Sequence, residues 1–320
     1  MKLVHYLQWE GPALTALAPR FEGVQFVTAS STADAVKELA DADAFVVAGP
    51  YYAGEVAAAV NAKAPKLRWI QSSSIGTDKF EKGGVPAGIT LTNAAGLKGR
   101  TVAEHAMALM LGFVHALPQM ERYRSAAHWA RDDLRSEISS LEGQTLLVLG
   151  YGSIGKEIAR KAKAFDMHVV ALNSSGEGDG AADIVASIAG LDRWLPEADF
   201  VACALPATPG TDSLIGADRL AAMKPGAILL NVGRGSTVDH GALVDALRSR
   251  SIAGACLDVF GEEPLPAGDA LWQLPNLILS PHVAGTGGPA GLRFAELFSE
   301  NLTRFLEGRD LKNVVEIGRS

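Results

Sequence analysis

The chain has 320 residues, which is enough for two domains of ordinary size. A hydrophobic content of 48% and a charged content of 20% are typical of a globular protein with a large core. The formal net charge of −7 gives no electrostatic argument for binding nucleic acid or an anionic membrane, and no apolar run reaches the ~18 residues that a membrane span requires. We therefore expect a cytoplasmic protein with no nucleic-acid or membrane partner. Cys203 and Cys256 lie inside apolar runs, which favours buried thiols over a disulfide or a metal site.

The first third of the chain alternates strand-like and helix-prone runs. Its strand-like runs are 2–8, 24–28, 43–49, 67–72 and 89–93, and two of its Ala-rich, helix-prone segments are 33–40 and 53–61. Such alternation predicts a parallel sheet with helices on its faces. This part of the sequence contains no Gly-rich phosphate loop of its own.

A loop of small residues follows the fourth strand-like run and contains Ser74, Ile75 and Gly76. Backbone N–H groups in such a loop, at the carboxyl end of a strand, can face a ligand. One interpretation is a cradle for a carboxylate, and the other is an ordinary strand-to-helix loop. The residues alone do not separate the two.

A long helix is predicted to begin near residue 101. Thr101 and Glu104 match a capping box, and the apolar residues that follow fall on one helical face. Pro118 marks the end of this helix or a kink in it. His105 and His115 are expected to be packed or solvated helical histidines without a function. The more polar stretch 119–142 is a linker or a subunit contact.

The stretch 145–155 reads Thr-Leu-Leu-Val-Leu-Gly-Tyr-Gly-Ser-Ile-Gly, an apolar run that leads into a Gly-rich turn. An amphipathic segment comes next, so the pattern is strand, turn and helix. Gly150 allows the tight turn, Gly152 lets the backbone approach a pyrophosphate, and Gly155 lets the helix pack on the strand. The helix N-terminus suits an anionic phosphate pair. This context favours dinucleotide binding. The alternatives are a purely structural turn and another nucleotide-like ligand such as S-adenosylmethionine.

Further strand-like runs follow, at 168–173, 200–205, 227–232, 254–259 and 277–280, with helix-compatible segments at 212–223 and 239–250. This pattern predicts a doubly wound sheet. Ligands of such sheets bind beyond the carboxyl ends of the strands. Arg234, Glu263 and His282 each follow a different run at that rim. Each alone could be structural: a surface charge, a turn residue or a loop histidine.

The three side chains together suit the reduction of a ketone. Histidine can donate or take the proton because its pKa lies near neutrality. A carboxylate on its other ring nitrogen fixes the tautomer and raises that pKa. Arginine offers a planar fork that suits a carboxylate and polarises an adjacent carbonyl.

The sequence resembles the D-isomer-specific 2-hydroxyacid dehydrogenase family, of the glyoxylate/hydroxypyruvate reductase type, over nearly its whole length. The matching segments are 74–78, 101–105, 150–155, 231–235, 257–264 and 280–285, in the right order. The resemblance implies an NAD- or NADP-dependent oxidoreductase that transfers a hydride between the nicotinamide and a small 2-oxo acid or D-2-hydroxy acid. It also implies a homodimer and no metal.

The resemblance assigns roles to individual residues. Arg234 would bind the substrate's carboxylate and carbonyl, and Glu263 would orient the acid–base His282. The loop of Ser74, Ile75 and Gly76 would hold the substrate carboxylate through backbone N–H groups. Asp258 would bond the nicotinamide amide. The full set of predicted cofactor-binding residues is Gly150, Gly152, Ser153, Ile154, Gly155, Asn173, Ser174, Leu205, Pro206, Val232, Gly233, Asp258 and Thr101.

The implied fold is α/β, with two doubly wound parallel-sheet domains. A Rossmann cofactor domain, residues 98–285, would be inserted into a flavodoxin-like substrate domain made of 1–97 and 286–320. Apolar residues of the tail form a helical stripe, Phe294, Phe298, Leu302 and Phe305, that could pack on the first part of the chain. Crossings near Gly96 and Gly285 would serve as a hinge.

One position departs from the family pattern. NAD-dependent members usually carry an acidic residue at the end of the second cofactor-domain strand, where it binds the ribose 2′-OH. Asn173 stands there, followed by two serines, and no Arg follows to bind a 2′-phosphate. Glu177 and Asp179 would repel a phosphate, whereas Asn and Ser can bond either cofactor. The sequence therefore leaves NAD and NADP both open.

Two other functional classes are alternatives to the reductase. Some relatives of this fold are corepressors, so a dinucleotide-sensing regulatory protein with little turnover is the main alternative. The complete set of Arg234, Glu263 and His282 favours the enzyme. An S-adenosylmethionine-dependent enzyme is the third possibility.

Overall fold

The computed structural model describes residues 1–7, 9–287 and 289–316. By its internal contacts the chain forms two compact units, Met1–Lys98 with Gly287–Ser320, and Gly99–Thr286. We call them the outer unit, because it holds both ends of the chain, and the middle unit. The predicted boundaries lie one residue earlier along the chain at each crossing.

The described part of the outer unit contains a five-stranded parallel sheet in the order β2-β1-β3-β4-β5. This 2-1-3-4-5 order is that of flavodoxin-like folds, as predicted. The strands are β1 Lys2–Tyr6, β2 Gln25–Thr28, β3 Ala44–Val47, β4 Trp69–Ser72 and β5 Thr90–Thr92. The helices are α1 Gly11–Thr15, α2 Thr32–Glu38, α3 Gly54–Lys63, α4 Asp78–Gly83 and, from the tail, α12 Ala290–Leu306.

The tail helix α12 completes the core of the outer unit. Phe294, Phe298 and Leu302 are buried in one cluster with Trp69, whose ring stacks on Phe298 at 5.6 Å between centroids. Asn301 Nδ2 donates to Gln71 Oε1 at 3.0 Å, which satisfies two polar groups buried at this contact. The predicted packing of the apolar stripe on the first part of the chain is confirmed.

The described part of the middle unit contains a seven-stranded parallel sheet in the order β12-β11-β10-β9-β6-β7-β8. The first of these strands along the chain, β6, lies in the interior of the sheet. β7 and β8 follow on one side of β6, and β9 to β12 follow on the other side, which is the Rossmann pattern. The strands are β6 Thr145–Leu149, β7 His168–Asn173, β8 Ile184–Ser187, β9 Phe200–Cys203, β10 Ile228–Asn231, β11 Gly254–Leu257 and β12 Leu277–Leu279. The helices are α5 Gly99–Val114, α6 Leu117–Ser125, α7 Arg131–Leu134, α8 Ser153–Lys163, α9 Leu191–Trp194, α10 Ala217–Ala222 and α11 His240–Ser249.

Three elements of the middle unit differ from the prediction. The capping box at Thr101 is wrong because α5 already begins at Gly99. A Cβ at residue 99 would lie 2.6 Å from the carbonyl oxygen of Ser153, so glycine permits the close approach of α5 to α8. The strand β8 was not predicted, because this edge strand is only four residues long and none of them is fully buried. The helix predicted over 212–223 is shorter, Ala217–Ala222, because the chain around Ile215 instead bridges to Val238.

Pro118 lies in the first turn of α6, where its missing N–H costs no hydrogen bond, so it begins a helix after α5 has ended at Val114.

Cys203 and Cys256 are buried free thiols, and burial raises the pKa of Cys203 to about 12. None of the described helices is long and apolar enough to cross a membrane. Nor do the described residues include a group of three His, Cys, Asp or Glu side chains that could hold a metal ion.

Candidate active site

The Gly-rich turn between β6 and α8 depends on three glycines for different reasons. Gly150 has a φ of +95°, which residues with a side chain rarely adopt, and a Cβ there would lie 2.7 Å from the Ala204 oxygen. A Cβ on Gly155 would overlap the carbonyl oxygen of Gly150. By contrast, nothing lies within 4 Å of the position that a Cβ on Gly152 would take. Protein atoms therefore pack closely against Gly150 and Gly155, whereas the space beside Gly152 is open.

The start of α8 lacks the partners that a structural helix terminus usually has. Gly152 is the N-cap and offers no side-chain acceptor, and the first turn contains no acidic residue. The first N–H groups of a helix have no intrahelical partner, and the helix dipole favours an anion beside them. Ser153 and Ile154 lie in this first turn, Ser153 exposed and Ile154 half-buried. The open space and the uncapped N–H groups fit a dinucleotide's pyrophosphate.

Asn173 ends β7, as predicted, and its side chain closes the turn that follows. Its Oδ1 accepts the N–H of Gly176 at 2.6 Å, and its Nδ2 donates to the Glu177 oxygen at 2.8 Å. Ser174 and Ser175 are exposed beside it. No carboxylate therefore stands at the end of this strand.

The remaining predicted cofactor residues lie on two loops and one helix of the same unit. Leu205 and Pro206 follow β9, and Val232 and Gly233 follow β10, next to β9 in the sheet. A Cβ on Gly233 would come 2.7 Å from the Leu205 oxygen, so these two loops touch through their backbones. Thr101 lies in the first turn of α5, half-buried.

Glu263 and His282 form a hydrogen-bonded pair after β11 and β12. Nδ1 of His282 lies 2.7 Å from Oε2 of Glu263, while Oε1 of Glu263 accepts the N–H of Phe260 at 2.9 Å. Both oxygens of the carboxylate are thus engaged, and its orientation is fixed. The side chain of His282 is 50% exposed, so solvent or a ligand can reach the ring.

This pairing shifts both pKa values in the directions that a proton-transfer pair needs. The hydrogen bond that His282 donates to Glu263 raises the pKa of His282, with burial opposing this shift and the charges of Glu263 and Asp258 adding to it. Burial disfavours ionisation of Glu263, but the hydrogen bonds from His282 and from the N–H of Phe260 outweigh it and lower the pKa of Glu263. The pair is therefore a carboxylate beside an imidazole that holds its proton more tightly than usual.

Arg234 lies in the loop after β10, and its backbone is tied down on both sides. Its carbonyl oxygen accepts hydrogen bonds from Asn231 Nδ2 at 3.0 Å and from Thr237 Oγ1 at 2.7 Å, and one guanidinium nitrogen donates to the Gly233 oxygen at 2.9 Å. The charge of Arg234 lowers the pKa of both His282 and Glu263, so the three groups share one electrostatic environment. Of the predicted trio, Glu263 and His282 are in direct contact, and Arg234 lies near enough for its charge to act on both.

Asp258 is buried at the end of β11 and binds the loop that carries His282. Its Oδ1 accepts the N–H of Val283 and its Oδ2 accepts the N–H of Ala284, each at 3.0 Å. Ser280 Oγ also donates to Oδ1, at 2.6 Å. A carboxylate has further lone pairs, so a bond to a nicotinamide amide is compatible with these contacts.

The loop of Ser74, Ile75 and Gly76 belongs to the outer unit. The N–H of Ser74 is used within the loop, where it donates to Ser72 Oγ at 3.0 Å, and Ser74 Oγ accepts the N–H of Gly49 at 2.9 Å. The predicted carboxylate cradle therefore depends on the N–H groups of Ile75 and Gly76 and on the hydroxyl hydrogen of Ser74.

His105, which was predicted to have no function, and Ser280, to which no role was assigned, are hydrogen-bonded to each other beside this site. His105 Nε2 lies 2.9 Å from Ser280 Oγ, which connects α5 to the loop of His282. A helical histidine carries no local signal of this role. Only the sheet order, which brings α5 near the end of β12, could have revealed it.

Comparisons with known proteins agree with this geometry. The family model for the D-isomer specific 2-hydroxyacid dehydrogenase, NAD binding domain, matches residues 107–284. The chain is 36% identical to a glyoxylate reductase from Korarchaeum cryptofilum over 255 residues, 79% of this chain and 77% of that protein. Among solved structures, a D-isomer specific 2-hydroxyacid dehydrogenase family protein from Aeromonas salmonicida superposes with a TM-score of 0.89 at 32% identity, covering 99% of each chain. An NADPH-dependent glyoxylate/hydroxypyruvate reductase from Sinorhizobium meliloti gives a TM-score of 0.80 at 27% identity, covering 99% of this chain and 98% of that one.

These relatives are oxidoreductases and lend no support to the regulatory alternative. The matched family model covers the Gly-rich turn and the loops that carry Arg234, Glu263 and His282, so NAD or NADP is the cofactor that this unit binds. The chain belongs to the D-isomer specific 2-hydroxyacid dehydrogenase family.

Proposed function

We propose that the protein reduces small 2-oxo acids, with glyoxylate and hydroxypyruvate as the leading substrates, and uses NADPH or NADH. The observation that carries this proposal is the 2.7 Å hydrogen bond between Glu263 and His282 in the electrostatic neighbourhood of Arg234. It supplies a proton donor with a raised pKa beside a permanent cation. The relatives from Korarchaeum cryptofilum and Sinorhizobium meliloti, a glyoxylate reductase and a glyoxylate/hydroxypyruvate reductase, support the substrate class.

The bound nicotinamide supplies the hydride, and the protein supplies binding and the proton. Arg234 binds the substrate's carboxylate and polarises its carbonyl through the guanidinium fork. As negative charge builds on the carbonyl oxygen, His282 donates the proton from Nε2, because its Nδ1 faces Glu263. Glu263 stays ionised and stabilises the imidazolium before the transfer. In the reverse direction neutral His282 takes the hydroxyl proton.

The outer unit has a carboxylate-binding loop of its own in this proposal. We propose that the N–H groups of Ile75 and Gly76, with the hydroxyl of Ser74, bind the carboxylate. The support is that the polar groups around them are already satisfied: Ser74 O accepts the N–H of Ala94 at 3.1 Å, and Asn93 Nδ2 donates to the Ile75 oxygen at 2.8 Å. The loop is thereby held in one conformation for binding.

For the cofactor, we propose that NADPH is accepted at least as well as NADH. Residue 173 carries no negative charge against a 2′-phosphate, and Ser174 and Ser175 present exposed hydroxyl groups. The charge of Asp179 is offset by Lys156, whose Nζ lies 2.9 Å from Oδ2 of Asp179. The Sinorhizobium meliloti relative is NADPH-dependent, in line with this choice.

A homodimer is proposed from the polar stretch between α5 and β6. Trp129 is 89% exposed there, and Leu117 and Ile138 are exposed as well. Exposed large apolar side chains close together in the sequence favour a subunit contact. Light scattering of the wild type and of Trp129→Ala tests the proposed dimer. We expect the wild type to be a dimer and the variant dimer to dissociate at a higher protein concentration than the wild-type dimer. A monomeric wild type would contradict the proposal. The cytoplasmic location stays a prediction.

The test of the function is a panel of 2-oxo acids. Oxidation of NADPH and of NADH is followed at 340 nm with glyoxylate, hydroxypyruvate, pyruvate and phenylpyruvate. We expect saturable turnover with at least one of the two small leading substrates. Tight cofactor binding without turnover of any of the four acids would instead indicate a sensing protein.

A further inference from the structure

A chain of hydrogen bonds connects helix α5 to the loop that carries His282. It begins at His105 in α5, passes through Ser280 at the end of β12, and reaches the buried carboxylate of Asp258 at the end of β11. The two links measure 2.9 Å, between His105 Nε2 and Ser280 Oγ, and 2.6 Å, between Ser280 Oγ and Asp258 Oδ1. Asp258 and Ser280 are buried, at 1% and 8% exposure.

The direction of each bond follows from the chemistry of the groups. An ionised carboxylate only accepts, so Ser280 donates its hydroxyl hydrogen to Asp258. The oxygen of Ser280 is then left to accept from His105, which must carry a hydrogen on Nε2. Nε2 of His105 also lies 3.6 Å from Oδ1 of Asp258. Both hydrogen bonds are therefore donated in the direction of the carboxylate. In such a series each hydrogen bond polarises the group that accepts it and strengthens the bond that this group donates in turn.

The far side of Asp258 holds the backbone around His282. His282 has a φ of +53°, a left-handed conformation that is uncommon for a residue with a side chain. The N–H of His282 donates to the Asp258 carbonyl oxygen at 2.8 Å, and the next two N–H groups, of Val283 and Ala284, donate to the carboxylate. A strained conformation persists only where its surroundings over-determine it. Asp258 provides that constraint, and it also contributes to the raised pKa of His282.

We propose that Ser280 and His105 are positioning residues for the proposed reduction, acting on His282 through Asp258. They do not touch the reacting atoms. They hold the Asp258 carboxylate in the orientation that fixes the left-handed loop, and so hold the His282 ring where it transfers its proton. This inference rests on the proposed function, because it assigns a role in that reaction.

The test uses single and paired substitutions, with glyoxylate and NADPH as the probes. Ser280→Ala and His105→Ala break the chain at successive links. Ser280→Thr keeps the hydroxyl, and His105→Gln keeps an N–H donor. His115→Ala, at an exposed position after the end of the same helix, is the matched control. The measured quantities are kcat, KM for glyoxylate, the dissociation constant of NADPH from nicotinamide fluorescence, and the melting temperature.

We expect Ser280→Ala to lower kcat and kcat/KM together by about 10- to 100-fold, because displacement of a catalytic group by an ångström has an effect of that size. The dissociation constant of NADPH should rise by at most about tenfold, since the contacts of the Gly-rich turn are unchanged and only the one hydrogen bond proposed from Asp258 to the nicotinamide amide is disturbed. His105→Ala should have a smaller effect of the same kind. The double variant should be no slower than Ser280→Ala alone, because both residues act through one carboxylate. Ser280→Thr and His105→Gln should recover most of the lost kcat.

Three results would overturn the inference. One is a kcat unchanged in Ser280→Ala, and another is losses that multiply in the double variant. The third is a lower melting temperature with unchanged kcat per folded enzyme, which would mean a structural role alone. Failure of the proposed function is seen separately, as a wild type that turns over none of the four 2-oxo acids.

Discussion

Oε2 of Glu263 lies 2.7 Å from Nδ1 of His282, although 19 residues separate the two along the chain. The other oxygen of Glu263 is held by the N–H of Phe260, so the carboxylate cannot rotate away without losing a bond. This pair fixes which ring nitrogen faces the protein and leaves Nε2 as the atom that would exchange the proton in the proposed reduction.

Glu263→Gln should move the pH dependence of reduction to lower pH. The pKa of His282 is raised, so its proton is present below that pKa and is lost as the pH rises through it. Reduction needs the protonated ring, and kcat/KM for glyoxylate should therefore fall on the alkaline side. Glutamine removes the charge that raises the pKa, so the fall should begin at lower pH. An unchanged alkaline limb in pH profiles of kcat/KM would contradict the role of Glu263.

Arg234→Lys should weaken the enzyme toward the substrate and leave cofactor affinity intact. Lysine keeps the charge but loses the planar fork that binds a carboxylate and a carbonyl together. A hydrogen bond to a charged group contributes about 1.5–3 kcal/mol, so kcat/KM for glyoxylate should fall by about 10- to 100-fold. Fluorescence titration with NADPH provides the control. A loss in NADPH affinity with an unchanged kcat/KM at saturating cofactor would assign Arg234 to the cofactor instead.

Two glycines of the turn should give opposite results when each is replaced by alanine. Gly155→Ala overlaps the Gly150 carbonyl oxygen and should lower the free energy of unfolding by about 1–3 kcal/mol or more. Gly152→Ala meets no protein atom within 4 Å, and the extended backbone there, with φ −88° and ψ −158°, accepts alanine. It should leave stability unchanged in urea denaturation and weaken NADPH binding at least about tenfold, by entering the pyrophosphate space. Equal NADPH affinity of Gly152→Ala and wild type would show that the pyrophosphate binds elsewhere.

Asn173→Asp should shift the cofactor preference toward NADH. The aspartate can still accept the Gly176 N–H that Asn173 accepts, but it loses the hydrogen bond that Asn173 Nδ2 donates to the Glu177 oxygen. It adds a charge that bonds the ribose hydroxyls and repels a 2′-phosphate. The ratio of kcat/KM with NADPH to that with NADH should fall by about tenfold, roughly 1.4 kcal/mol. Asn173→Ser is the neutral control and should stay near the wild-type ratio. A fall of equal size in the serine variant would show that the charge is not what discriminates.

Much of the fold followed from local patterns in the sequence. The local pattern of the run Thr145–Leu149 and of the glycines after it predicts a strand, a turn and a helix. The structure contains these three elements there. The rim position of Arg234 and His282 followed from where their strands end. The edge strand β8 was missed because its four residues are only partly buried and carry no continuous apolar signal.

The contacts between distant parts of the chain were not predictable in the same way. The start of α5 depends on how closely Gly99 approaches Ser153, and no local pattern reports that distance. Similarly, the bond between His105 and Ser280 joins residues 175 positions apart. Its existence depends on the order of strands in the sheet and on the register of one helix against it.

The central claim is that His282 supplies the proton, and the most direct measurement of it is kcat for His282→Ala beside the wild type. Turnover of glyoxylate by NADPH is compared at saturating concentrations of both, together with the dissociation constant of NADPH for each protein. The account predicts that kcat falls by about 10²- to 10⁴-fold while NADPH binds with unchanged affinity, since only proton transfer is lost. A variant that keeps the wild-type kcat would contradict it.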